Sequence, residues 1–427
     1  MTLVIVASLL VLLLASVPVA AALGVLGLSV NWFYSPMPLH RVLGDMVWQN
    51  GSDFLLVAIP LFVLLGEIML RTGIATRMYE GMATWLSWLP GGLMHANVGA
   101  SALFAATSGS SVATSATIGT VALPEVARRR YNERLFLGSI AAGGTLGILI
   151  PPSINLILYG LLTDTSVPAL YLAGFLPGAL LAAVFMATVA LGCVLAPAWG
   201  GTRVRVTWKQ RFSSLPGLLP PVGIFVVVVG SIYAGLATPT EAAALGVVAS
   251  LGLAAFYGRL SWAMLREAVE GTMRTTAMIM LIILAAVFLN FVLSTLGLTQ
   301  ALVTFVTGLG ISPLQTLLMI ILFYVVLGCF METLSMLLTT APLTTPIVVA
   351  LGYDPIWFGV LLMVLLETAL ITPPVGLNLY VVQGIRVRGS MNDVMVGALP
   401  FVVAMFVMVA ILIAWPGLAL WLPNLFY

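Results

Sequence analysis

Long stretches of this 427-residue chain carry no Asp, Glu, Lys or Arg, among them 2–39, 135–163, 165–202, 212–240, 275–331 and 394–427, none shorter than 29 residues. A bilayer crossing takes about 20 mostly apolar residues, so several of these stretches hold more than one element. With 61% hydrophobic and 7% charged residues, against roughly 25% charged in a soluble domain, no aqueous core could hide so much apolar surface. The net charge of +2 comes from Arg residues set between the apolar runs rather than in one patch, which encodes membrane topology and not nucleic-acid binding. Cys193 and Cys329 lie far apart in apolar surroundings, as inert buried thiols do, and suggest neither a disulfide framework nor a zinc site. Residues 1–30 lack a basic start and stay apolar past Gly24 to Val30, longer than a signal-peptide core, so the first helix is expected to be retained.

The chain resembles itself at a constant offset of 222 residues. Pro124, Pro151 and Pro152 recur as Pro346, Pro373 and Pro374; Ala20 to Gly24 (AAALG) recurs as Ala242 to Gly246; Tyr131 recurs as Tyr353. Asn155 in PPSINL answers Asn378 in PPVGLNL after a one-residue slip. Single Pro or Ala-Gly matches are cheap in apolar sequence, but one offset held from residue 20 to 152 points to a duplication. The charges then set orientation. The first copy carries Arg128, Arg129, Arg130 and Arg134 where the second carries only Asp354, and Arg71, Arg77 and Glu80 have no charged counterparts at 295–311. By the positive-inside rule the first loop is cytoplasmic and the second is outside, so the halves are inverted.

The expected fold is therefore an all-α polytopic membrane protein of two inverted repeats, each with a re-entrant hairpin and a Pro-broken span. Residues 1–205 form the first repeat, with its hairpin at 95–124 and broken helix at 135–163. Residues 206–240 are a cytoplasmic linker and an unpaired helix at 215–235, whose crossing inverts the second copy. Residues 241–427 form the second repeat, with its hairpin at 313–346 and broken helix at 356–383. Spans at 3–30, 54–70, 168–197, 241–257, 275–294 and 394–420 complete a count of nine, with an inner-surface helix at 74–89. A basic linker holds Arg203, Arg205, Lys209 and Arg211, and Arg259, Arg266, Arg274, Arg386 and Arg388 occupy inner loops. This count puts the N-terminus in the cytoplasm and the C-terminus in the periplasm.

Residues 101–120 hold nine Ser or Thr around Gly109. Small hydroxyl-bearing residues allow tight helix packing, but Thr107, Ser108, Gly109, Ser110 and Ser111 in sequence also suit a hairpin tip. Non-helical backbone is tolerated at membrane depth only where it is buried or lines a cavity, and neutral oxygens of this kind suit a hard cation such as Na+. At 145–155 (TLGILIPPSIN) a Pro pair interrupts a span and frees carbonyls; 368–378 (TALITPPVGLN) repeats the arrangement opposite the tip-like GCFMETLSM at 328–336. Paired broken segments at corresponding positions point to a transporter binding site. Among intramembrane acids, Glu332 in the second tip is a functional candidate and Glu241 suits a helix start after Thr238 and Thr240. Glu67 and Glu125 suit structural pairs, Glu367 lies within an apolar run, and His95 is expected at the interface.

Several segments together resemble the large membrane subunit, often called DctM, of tripartite ATP-independent periplasmic (TRAP) transporters: IPLFVLLGEIMLRTGI at 59–74, ATSGSSVATSATIG in the first hairpin, GILIPPSINLILYG at 147–160 and ATPTEAAALG at 237–246. The likeness covers nearly the whole chain. It implies Na+-driven uptake of an organic acid across a bacterial inner membrane by an elevator-type carrier. It also implies two partners, a small four-helix membrane subunit and a periplasmic substrate-binding protein, and no cofactor beyond Na+ as coupling ion. Carried over residue by residue, Ser108, Gly109, Ser110, Ser111, Gly147, Pro151 and Pro152 frame a first Na+ site. Glu332, Thr333, Thr368, Thr372 and Pro373 frame a second, with Ser153, Asn155, Pro374 and Asn378 as substrate contacts. The second tip departs from the first in Cys329, Phe330 and Met331, so ligation there falls to backbone carbonyls. With no Arg in either tip, substrate carboxylates would be met by helix dipoles, hydroxyls and bound Na+.

A stand-alone Na+/anion symporter of the same architecture is the alternative within transport, with dicarboxylates, sialic acid and other sugar acids, and keto acids all open as substrates. An intramembrane enzyme is a remote alternative, because two His and two distant Cys supply no catalytic constellation and no base converges on Gly109, Ser110 and Ser111.

Overall fold

Helix starts in this chain are written by side chains that accept the amides every helix leaves unpaired. The Ser166 hydroxyl accepts from the Ala169 N–H, and Thr207, Thr238 and Ser312 form reciprocal capping boxes with Gln210, Glu241 and Gln315. Glu241 is thus a capping residue, its Oε2 accepting the N–H and the hydroxyl of Thr238 at 2.8 Å each. The computed structural model describes residues 5–426 apart from 6, 7, 10, 13, 14, 16, 203–205, 309 and 387. Arg203, Arg205 and part of the 3–30 span lie outside the described residues. Among the described residues every long element is a helix, and the only β pairing is an isolated bridge between Tyr131 and Gly200.

Seven helices among the described residues are long and apolar enough to cross a membrane. The two Pro-interrupted spans are not among them, because each is two shorter helices: Glu133–Thr145 with Ile154–Thr163, and Pro355–Ile371 with Leu377–Gly384. The hairpins are Leu93–Ser108 with Ser111–Ala122, extended by Pro124–Arg129, and Pro313–Gly328 with Thr333–Ala350.

Four boundaries differ from those expected. The helix expected at 275–294 is Trp262–Thr295, 34 residues; Ser261 caps it and Arg266 pairs with Glu270 one turn on, so Arg266 and Arg274 ride on a helix instead of a loop. The helix expected at 215–235 begins at Trp208. The span expected at 394–420 is divided into Met391–Ala414 and Gly417–Phe426, since Pro416 bars its preceding residue from helical geometry and Trp415 adopts φ −137° and ψ 73°. Residues 39–51, given no element from sequence, form a short 3-10 turn and the helix Leu43–Gly51.

Two packed groups of helices can be followed, joined where Ala58–Arg71 and Ile74–Leu86 pack against Leu93–Ser108. In one, Trp262–Thr295 lies against Val19–Tyr34 and Ala58–Arg71, Pro239–Phe256 against Ala58–Arg71, and Trp208–Tyr233 against Ile74–Leu86. In the other, Glu133–Thr145 is enclosed by both arms of the first hairpin and by Met391–Ala414, and Leu135 to Thr145 are all buried. The tightest approach is Glu133–Thr145 to Met391–Ala414: a side chain at Gly138 would overlap the Gly397 carbonyl, and one at Gly397 the Arg134 carbonyl. Small residues permit such backbone contact between helices. Pro355–Ile371 is also enclosed on all sides, buried from Trp357 to Ile371.

Candidate functional site

The first hairpin turns in two residues. Gly109, at φ +59°, ends Leu93–Ser108 in the left-handed conformation that glycine adopts without strain, and its missing side chain admits the Pro152 carbonyl oxygen, 2.9 Å from where a Cβ would stand. Ser110 is extended and caps Ser111–Ala122, its hydroxyl accepting the Ala113 N–H at 3.3 Å. The second hairpin turns through Cys329, Phe330 and Met331, and Glu332 caps Thr333–Ala350. One Glu332 oxygen accepts from the Leu334 N–H and the other from the Ser335 N–H and hydroxyl, all at 3.0 Å. Ser110 and Glu332 are 222 positions apart, as are Asn132 and Asp354, which cap Glu133–Thr145 and Pro355–Ile371.

Each hairpin tip meets a break. The Ser111 hydroxyl donates to the Thr145 carbonyl at 3.1 Å, and a Cβ on Gly147 would stand 2.9 Å from the Ser111 nitrogen. At the second tip the Cys329 thiol points to the Pro373 carbonyl at 3.7 Å. Both Pro–Pro bonds, Pro151–Pro152 and Pro373–Pro374, are cis. The two broken helices run antiparallel. Arg386, beyond the end of the second, pairs with Glu133 at the start of the first at 2.5 Å, while Tyr159 near the end of the first donates to the Pro355 carbonyl at the start of the second at 2.7 Å.

Between the tips lies a cavity of about 160 Å³ lined by Ser108, Gly109, Ser110, Ser111, Asn155, Glu332 and Thr333 from one helix group and by Gly66, Glu67, Thr275 and Ile279 from the other. Val112, Ile154, Leu334 and Leu377 also line it, so four helices present their first turns there: Ser111–Ala122, Ile154–Thr163, Thr333–Ala350 and Leu377–Gly384. Helix N-termini carry partial positive charge and unpaired amides, and no Lys or Arg is among the lining residues. The two lining carboxylates are both engaged: Glu332 by helix amides, Glu67 by Arg71, which also reaches Glu267 at 3.5 Å. A larger groove of about 880 Å³, lined by Arg77, Glu80, Gln210 and Tyr257, contains neither tip nor break.

The remaining candidates sit behind this cavity. The Ser153 hydroxyl is buried and donates to the Ile148 carbonyl. The hydroxyls of Thr368 and Thr372 donate at 2.7 Å to the Val364 and Thr368 carbonyls. Asn378 is buried with its amide on the Ala141 carbonyl at 3.1 Å, and Pro374 is exposed. Of the four candidate substrate contacts, only Asn155 lines the cavity. His95, expected at the interface, is instead buried, with Nε2 on the Pro90 carbonyl at 2.7 Å, because Gly91 and Gly92 turn the chain immediately into the packed hairpin arm. Glu125 pairs with Arg128 and Arg129. Cys193 and Cys329 are both free, and no group of three metal-binding side chains occurs among the described residues.

A family description built on the DctM component of tripartite ATP-independent periplasmic transporters matches residues 6–418. The chain belongs to that family. This DctM-family protein is a transporter permease component and not an enzyme. It is 36% identical over 406 residues, 94% of each chain, to the C4-dicarboxylate TRAP transporter large permease protein DctM of Pseudomonas aeruginosa. It is 32% identical over 418 residues to the sialic acid TRAP transporter large permease protein SiaM of Vibrio cholerae, covering 97% of this chain and 96% of that one. In fold it is similar to the YdaH transporter of Alcanivorax borkumensis, with a TM-score of 0.58 at 18% identity over 97% and 98% of the two chains.

Two features of this permease escaped the sequence reading. Gly66 lets Ala58–Arg71 touch the first tip, a Cβ there standing 3.0 Å from the Ser108 carbonyl oxygen; a Gly within an apolar helical run was the available signal. Glu367 reaches the first break, its Oε1 accepting the Leu149 N–H at 3.1 Å, a pairing across 218 residues that no local pattern announces.

Proposed function

We propose that this permease couples inward movement of Na+ to uptake of an organic anion across the bacterial inner membrane, with the substrate held in the cavity between the two hairpin tips. The observation that carries this reading is the convergence of four helix N-termini on a cavity without a basic side chain. Such a site attracts an anion through amides and dipoles, while the hydroxyls and carbonyls of the tips and breaks offer a hard cation neutral oxygens. Ser108, Ser110 and Ser111 with the first break form one Na+ site, and Glu332, Thr333 and the second break form the other. Relatives named as C4-dicarboxylate, sialic acid and isethionate permeases favour the same substrate class.

The antiparallel broken helices and the paired caps at one offset support two inverted repeats, 1–205 and 241–427, joined by 206–240. The enclosed group bearing both tips is suited to slide as an elevator against the group containing Gly66. Arg128, Arg129, Arg130, Arg386 and Arg388 gather at one end of the molecule, Arg130, Arg386 and Arg388 around one pocket, which favours a cytoplasmic position for that end by the positive-inside rule. The small four-helix subunit and a periplasmic binding protein complete the transporter. Reconstitution tests the partnership: uptake into liposomes is expected only when all three components are present, and substrate uptake by the purified chain alone identifies a stand-alone symporter instead.

A further inference from the structure

Among the described residues, Glu367 is the only carboxylate fully enclosed by protein. It lies one residue before Thr368, within the helix Pro355–Ile371. Its Oε1 accepts the Leu149 N–H at 3.1 Å and its Oε2 has no hydrogen-bond partner. Stability does not explain this choice. A buried carboxyl with one amide partner is a poor exchange for an apolar side chain of similar volume, and its neighbours Leu365, Leu366, Ala369 and Leu370 are all apolar and buried.

The amide that Glu367 holds is one that the first break has set free. In a continuous helix the Leu149 N–H would donate to the Thr145 carbonyl four residues back. That carbonyl is occupied, by the Ile148 N–H at 3.0 Å and by the Ser111 hydroxyl at 3.1 Å. The link from the first hairpin tip therefore runs from Ser111 to the Thr145 carbonyl, from there to the Ile148 N–H, and through the next peptide unit, Leu149, to Glu367 in the helix end that carries Thr368 and Thr372. Other side chains tie the broken helices together, Tyr159 to Pro355, Asn378 to Ala141 and Arg386 to Glu133, but each of these ends on a helical segment. Only Glu367 ends within a break.

We propose that Glu367 is a positioning residue that locks the first break to the helix leading into the second and so couples the two Na+ sites, making occupation of one depend on the geometry of the other. This rests on the Na+-coupled reading above. The link is mechanical: an ion drawn to the first tip fixes the Ser111 hydroxyl and the Thr145 carbonyl, which fixes the Leu149 amide, and Glu367 transmits that position to the turn bearing Thr368.

The test is Na+-dependent uptake in proteoliposomes containing the full transporter, with membrane content measured for each variant. Unaltered protein is expected to show a sigmoidal Na+ response. Glu367→Leu removes the acceptor, and is expected to raise half-saturating Na+ about tenfold, the effect of one lost buried hydrogen bond, and to lower the Hill coefficient toward unity. The substrate KM at saturating Na+ stays within about twofold, because the change acts on ion coupling and not on substrate binding. Glu367→Gln keeps a carbonyl oxygen for Leu149 and is expected to restore the unaltered Na+ curve. A Glu367→Leu protein present in the membrane with an unchanged Na+ curve overturns the proposal. Should Glu367→Leu fail to reach the membrane, Glu367→Ala, which also removes the acceptor, takes its place: a raised half-saturating Na+ supports the proposal, and an unchanged Na+ curve overturns it. If unaltered protein takes up substrate without regard to Na+, the functional reading fails, an outcome separate from any variant-specific result.

Discussion

At the scale of single residues, the hairpin tips concentrate the chemistry. Ser110 and Ser111 do different work: the first caps a helix, and the second joins the tip to the Thr145 carbonyl. Ser110→Ala with Ser111→Ala is expected to raise half-saturating Na+ while costing about 1 kcal/mol for the lost cap, leaving the protein in the membrane; unchanged Na+ dependence returns the hairpin to a packing role. Gly109 is constrained twice, by its positive φ and by the Pro152 carbonyl. Gly109→Ala is expected to impair uptake, since left-handed backbone costs about 1 kcal/mol for a residue with a Cβ and the contact adds to it. Gly24→Ala is the control, because nothing lies within 4 Å of its Cβ position. Glu332 was legible as a tip acid, but its capping geometry was not, because no pattern in the sequence tells where the helix after Met331 begins.

At the scale of elements, the enclosed helix Glu133–Thr145 depends on glycine at its closest crossing. Gly138→Val would drive methyl groups into the Gly397 carbonyl, an overlap with backbone that cannot be relieved by a rotamer change. We expect loss of the folded protein, seen as disappearance of the monodisperse peak in detergent; a stable, active Gly138→Val protein contradicts this packing. Element boundaries were legible where chemistry is abrupt. Pro151–Pro152 and Pro373–Pro374 mark both breaks, and Gly109 marks the first tip. They were not legible where polarity misleads: Arg266, Glu270 and Arg274 look like a loop but lie along Trp262–Thr295, where Arg266 and Glu270 satisfy each other one turn apart. Conversely, the uniformly apolar 394–427 conceals the interruption at Pro416. Glu367 shows the further limit, since its partner is set by how two distant helices pack.

At the scale of the whole molecule, the proposed orientation rests on where basic residues gather. Arg128, Arg129 and Arg130 lie beside the helix end bearing Arg386 and Arg388, and Thr202, just before the linker, bonds the Arg129 carbonyl at 2.9 Å. With that end cytoplasmic, a reporter fused to the C-terminus is expected to be active in the periplasm; a cytoplasmic signal breaks the nine-span count and the inversion it supports. The two helix groups meet at the cavity, where Gly66 stands against the Ser108 carbonyl. The most direct measurement is substrate uptake into proteoliposomes of the complete transporter under an imposed Na+ gradient. An inward gradient is expected to drive accumulation that collapses when Na+ is equalised or replaced by K+, whereas accumulation indifferent to the Na+ gradient contradicts the account.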